Sequence, residues 1–268
     1  MLAVLLCSCG VQIQMTTLSA SAAGLSSGTP LCVRNSSWGY TGEMLANAFR
    51  ERISADGFFL LRYEGSGSVI LELREVYVED PPPPGYRPSH YYDKKKHKHH
   101  KDDHYPPPPS PKLNATVVVR SGGTSYYHRS YREHVSIDYD GRMDLRDACR
   151  DIAASAMRDL TPHAVTYSEY VDPDDNIPAL EQAARACAAG NWTLGRQYAT
   201  PLLTQYPHCA EAYYLMGLIE RHDGDFDASN DYFRQAHRMK PDSKYNSGVR
   251  DNENMRRTES IARQQMGI

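Results

Sequence analysis

The feature that most constrains this chain is a self-similarity at 34 residues in its C-terminal half. Gly190 and Gly224 stand 34 apart, as do Trp192 and Phe226, Ala183 and Gly217, and Pro207 and Pro241. A repeat of this length is a single supersecondary unit that cannot bury its apolar face alone, so successive copies must stack.

The pattern resembles the tetratricopeptide repeat. The second copy, Ala210–Ser243, has an aromatic at Tyr213, then Met216-Gly217, a turn at Gly224, and Phe226, Phe233, Ala236 and Pro241. It departs from the pattern at Glu220 and Ser229, where an aromatic and a small alanine are usual. The first copy, Asn176–Cys209, keeps Ala183, Gly190, Trp192, Gly195 and Pro207 but lacks the first aromatic. Trp192 is expected to fill the gap between helices, and Gly217 to sit where they approach most closely.

The resemblance also implies a concave groove lined by the first helix of each copy. Carried over, its residues are Ile177, Leu180, Ala184, Cys187 and Ala188 in the first copy. The second supplies Glu211, Tyr214, Leu218, Arg221 and His222. This surface is apolar and aromatic with a polar edge, and lacks the basic and Asn residues of the carboxylate-clamp versions, so an apolar strand or helix is the expected ligand. Two readings stay open: a protein partner binds there, or another part of the chain covers it, since arrays below three repeats rarely stand alone. Residues 244–268 read as a polar capping helix and tail docked through Tyr245 and Val249.

Residues 30–171 read as an α+β domain. Pro30–Asn35 is a short strand, and Leu45, Ala48, Phe49 and Ile53 mark an amphipathic helix over 42–54 that Asp56-Gly57 ends. Phe58–Tyr63 and Ser68–Val78 read as strands, as do Leu113–Ser121 and Thr124–Ile137 on either side of Gly122-Gly123. The apolar stripe from Leu145 to Leu160 predicts a second helix. The expected fold class is therefore α+β: a small, mostly antiparallel sheet with two helices on one face, followed by an all-α array of helical hairpins over 172–243. The element order resembles that of the outer-membrane lipoprotein family that assists lipopolysaccharide assembly.

A Pro-, His- and Lys-rich insertion, 79–112, interrupts this domain. The net charge of the chain is −3, yet Pro81–Lys112 holds seven Lys and Arg against three Asp. The prolines cannot donate ladder hydrogen bonds and the middle has little to bury, so the segment is expected to be disordered. Three readings stay open: a solubilising loop, a loose site for Zn²⁺, Ni²⁺ or Cu²⁺ at His97, His99, His100 and His104, or a polyanion contact over 94–104.

The N-terminus opens on an apolar run ending Leu6-Cys7-Ser8-Cys9, which resembles the lipobox of bacterial lipoproteins. The resemblance implies lipid on the thiol of Cys9 and cleavage before it, with Gly10 favouring the outer membrane over the inner. The chain departs from the pattern in having no basic residue before Arg34. Residues 11–29, rich in Ser, Ala, Gly and Thr, read as a flexible tether. No stretch reaches the ~18 apolar residues of a spanning helix.

No zincin motif, phosphate-binding glycine loop or nucleophile elbow occurs in the sequence. The expectation is a non-catalytic, lipid-anchored envelope protein without a cofactor, facing the periplasm from the outer membrane. It would act as a protein-interaction scaffold and not on nucleic acid. The alternative is a metal- or polyanion-binding protein acting through the insertion.

Overall fold

The computed structural model describes residues 10–63, 69–79, 110–137, 142–173 and 177–268. In chain order these form β1 (Val11–Ser19), β2 (Pro30–Asn35), α1 (Tyr40–Asp56), β3 (Leu60–Leu61) and β4 (Val69–Glu79). Then come β5 (Lys112–Ser121), β6 (Thr124–His134), β7 (Ser136–Ile137), β8 (Met143–Asp144) and α2 (Arg146–Leu160). The chain ends with β9 (His163–Val171), α3 (Pro178–Ala188), α4 (Trp192–Gln205), α5 (Ala210–His222), α6 (Phe226–Met239) and α7 (Ser243–Met266). The fold is mixed α/β, with seven helices and three sheets among the described residues.

Two compact units divide the chain. An α+β unit takes Ser21–Thr161 and Gln265–Gly267, and a helical unit takes the chain up to Ala20, then Pro162–Gln264 and Ile268.

In the α+β unit the sheet order is β3-β2-β4-β5-β6. β2 pairs in parallel with both β3 and β4, while β4–β5 and β5–β6 are antiparallel. The sheet is thus mixed, which corrects the mostly antiparallel expectation. The cause is α1, which carries the chain back so that the following strands run in the direction of β2. Gly57, at φ 66°, ends α1 in the left-handed region and returns its N–H to the Ile53 carbonyl. Gly122 and Gly123, at φ 60° and 155°, make the β5–β6 turn. Helices α1 and α2 share one core with the sheet, in which Leu45, Phe49 and Ile152 pack with Leu71, Leu73, Val117 and Val119.

The helical unit consists of two consecutive helical hairpins, α3/α4 and α5/α6, followed by α7, and it also contains the ribbon β1–β9. The 34-residue period reappears in its capping. Asn191 accepts from the Leu194 N–H at 3.1 Å, and Asp225, 34 residues on, accepts from the Ala228 N–H at 3.0 Å. Gly190 and Gly224 both hold positive φ at the turns, 78° and 84°. The two departures from the pattern have partners. Glu220 receives two hydrogen bonds from Arg196, and Ser229 donates to the Gly217 carbonyl at 2.7 Å.

The tether over 11–29 is overturned. Residues 11–19 are β1, antiparallel to β9 along its whole length, from Val11 opposite Val171 to Ser19 opposite His163. Farther along, Ala23 and Leu25 are buried in the core of the α+β unit. β9 likewise belongs to the helical unit, so the expected domain boundary at 171 moves back to Thr161. Cys9 and the insertion over 81–109, with His97, His99, His100 and His104, lie outside the described residues.

Candidate functional site

The ribbon has two faces. Along β1, Ile13 and Met15 are buried while Gln12 and Gln14 are exposed. The register sets Ile13 opposite Glu169 and Met15 opposite Tyr167, so these four side chains share the inward face. On the outer face Gln12 and Gln14 donate to the Ser168 hydroxyl at 2.7 and 3.0 Å.

The inward face lies in the expected groove. Ile13, Met15 and Val171 form one apolar cluster with Leu180 and Ala184 of α3 and with Tyr214 and Leu218 of α5. Tyr214 is 2% exposed and donates its phenolic O–H to Glu169 at 2.8 Å. Arg221, 4% exposed, donates to Glu169 at 2.7 Å, to the Asn252 side-chain oxygen at 2.5 Å and to the Gly248 carbonyl at 2.9 Å. Asn252 passes the network on to Ser229 and Asn230.

α7 closes the rest. Tyr245 is fully buried and donates to Glu211 at 2.5 Å, across one repeat period. Lys244 reaches Glu211 and Asp172 at 2.7 Å each. Leu180, Ala184, Glu211, Tyr214, Leu218 and Arg221 are therefore buried side chains of the unit itself and do not form an open docking surface. Of the ten residues expected to line the groove, Ala188 and His222 are exposed. The physical reason is that a two-repeat array has too little stacked area to leave its concave face wet, and the ribbon and α7 supply what further repeats would.

Trp192 also differs from expectation. It is half-buried and stacks on the His222 ring, with centroids 4.1 Å apart and planes at 16°. Gly217 does mark a close approach, since a Cβ there would lie 2.4 Å from the Phe233 ring. Sequence reasoning missed Glu169, which anchors the groove polar network, although Tyr167, Glu169 and Val171 do recur at strand spacing.

Electrostatics favour holding over reacting at these positions. Burial, with Glu169 beside it, keeps the Tyr214 phenol protonated well above its ordinary range. Burial pushes the Cys187 thiol up to about 12 and the Cys149 thiol to about 11, so both are poor nucleophiles at neutral pH. Burial works against the Lys244 ammonium, but the Asp172 and Glu211 carboxylates hold it charged. In the α+β unit Tyr127 and Tyr131 each donate to Asp159 at 2.7 Å, and Arg129 also bonds it. Burial raises the Tyr127 phenol to about 12, so this cluster clasps α2 to β6 with protonated phenols and an ionised carboxylate.

Among the described residues no three His, Cys, Asp or Glu side chains are grouped to hold a metal ion. No described helix is long and apolar enough to cross a membrane.

No protein-family model matches the chain, and no curated protein matches it. Among solved structures, the crystal structure of a minor lipoprotein from Acinetobacter baumannii is 12% identical and covers 63% of this chain and 91% of its own. Its TM-score is 0.18, too low to carry an argument about fold or function.

Proposed function

We propose that this is a non-catalytic, lipid-anchored protein of a bacterial cell envelope, attached through Cys9 at the periplasmic face of the outer membrane. Its tetratricopeptide-like repeats clamp the strand that follows the anchor and act as a scaffold for a protein partner on the surface they leave open. That surface includes Tyr198 of α4 and Tyr206 just past its end, both exposed.

The observation that carries this reading is the position of β1. It begins at Val11, two residues after the lipobox cysteine, and is paired to β9 and buried on one face. Lipid at Cys9 then attaches to a folded unit through Gly10 alone. More than one acyl chain, at ~0.8 kcal/mol per buried CH₂, holds such a unit firmly at the bilayer.

Fractionation of native cells tests the anchor: the protein should sediment with outer membranes, and Cys9→Ser should release it. An intact, unmodified Met1 terminus in mass spectra of the native protein would overturn it. Photo-cross-linking tests the scaffold. A reactive residue at 198 should capture a partner and one at 214 should not.

A further inference from the structure

We propose that β6 is a self-association edge, along which a second copy of this chain extends the α+β sheet antiparallel about a two-fold axis at Tyr131. The two edges of this sheet are unlike. β3 closes one with two residues, Leu60–Leu61, whereas β6 leaves eleven, Thr124–His134, along the other. A very short edge strand is a poor template for further pairing. A long one is a good template, because every second residue aims its N–H and C=O outward.

On β6 those groups are free. Among the described residues no backbone N–H or C=O from His128 to His134 bonds anything beyond the β5 ladder. The strand has none of the proline or lysine that commonly guards an edge. Its arginines are drawn aside, Arg129 to Asp159 and Arg132 to Glu79. A row of alternating donors and acceptors is matched by another extended chain.

Glu133 selects which chain. It is half-buried, and its carboxylate has no ion pair or hydrogen bond among the described residues. The register sets Arg129, Tyr131 and Glu133 opposite Val117, Ala115 and Leu113, so the three share the face toward the helices. Arg129 is the one cation of β6 on that face. Four residues along an extended strand is ~13 Å, too far for it to reach Glu133 of its own chain. A second β6, antiparallel with Tyr131 opposite Tyr131, sets its Arg129 directly opposite Glu133, and the symmetry forms this pair twice. Arg129 gives only Nη1 to Asp159, so the rest of its fork is left for the second carboxylate. The same register sets His128 opposite His134 and Ser130 opposite Arg132. It therefore spans the seven residues whose backbone is free.

Sedimentation of the full chain carrying Cys9→Ser tests this without any lipid. It should show a monomer–dimer equilibrium, with alternate amides between 128 and 134 exchanging more slowly as concentration rises. Glu133→Lys should raise the dissociation constant about tenfold or more and leave the melting temperature of the dilute protein unchanged. Arg129→Glu should weaken the dimer likewise. An equimolar mixture of the two variants should dimerise again, because each chain then meets the opposite charge at both positions. A parent that stays monomeric at millimolar concentration would leave the edge to a strand of another protein and overturn the proposal. So would a dimer that tolerates Glu133→Lys, a dimer whose 128–134 amides exchange as in the monomer, or a mixture of folded variants that stays monomeric. Every arm but the mixture holds even if Arg129→Glu fails to fold.

Discussion

Tyr214 donates its phenolic hydrogen to Glu169 across 2.8 Å, tying the middle of α5 to the strand that pairs with the N-terminus. Arg221, two turns along the same helix, bonds the other oxygen of that carboxylate. One Glu therefore holds two groove residues at once.

Tyr214→Ala should destabilise the protein by about 3–5 kcal/mol as a core truncation. Tyr214→Phe, which keeps the ring and drops one hydrogen bond, should cost about 1 kcal/mol. Urea unfolding of the three proteins checks both. An alanine variant that melts with the parent would mean that the ribbon does not occupy the groove in solution.

Arg221→Met should cost roughly 3 kcal/mol, because it leaves Glu169 and Asn252 facing each other without the guanidinium that joins them. Adding Glu169→Gln should recover part of the loss, since the uncompensated carboxylate is then removed. A double-mutant cycle measures that coupling.

Gly217→Ala should cost ~1–3 kcal/mol, since the new methyl lies 2.4 Å from the Phe233 ring, itself fully buried. Trp192→Ala should cost only about 1–2 kcal/mol, because the ring is half in water and loses chiefly its stack on His222. Thermal melts of the pair should rank the glycine substitution as at least as severe as loss of the larger side chain.

Acid should loosen the α+β unit at Glu72. Burial alone would raise its carboxyl pKa, but hydrogen bonds from Ser36, Arg74 and Arg120 outweigh it and lower the value from 4.5 to about 2. Folding thus lowers this pKa, so the stabilisation is present above about 4.5 and is lost as pH falls toward about 2. Half-exposure of Arg74 screens part of the effect, which leaves about 2 kcal/mol. Denaturant midpoints between pH 5 and pH 2.5 should fall less in Glu72→Gln than in the parent.

The hairpins were legible because their signal is local. Gly190, Gly224 and the 34-residue spacing specify turns and caps within a few residues of themselves, and the structure has N-caps at Asn191 and Asp225. The stripe from Ala148 to Leu160 named the buried face of α2 for the same reason. β1 was not legible as structure, although Val11, Ile13 and Met15 alternate with Gln12, Gln14 and Thr16. The Ser- and Ala-rich stretch after it suggests a linker, and its partner strand lies beyond the entire α+β unit. Groove occupancy was hidden for the same reason: period and spacing say which residues line a concave face, while what fills it is decided by distant pairing.

That pairing also sets an order of assembly. Val11 meets Val171 only after the 159 residues between them have been made, and Ser19 likewise waits for His163. A contact so distant in sequence carries a large loop-closure entropy and forms late. Strand β1 is thus made early and is among the last to find its place. Until it does, Leu180, Ala184 and Tyr214 are short of a cover, and the nascent protein exposes an apolar trough open to chaperones or to strands of other chains.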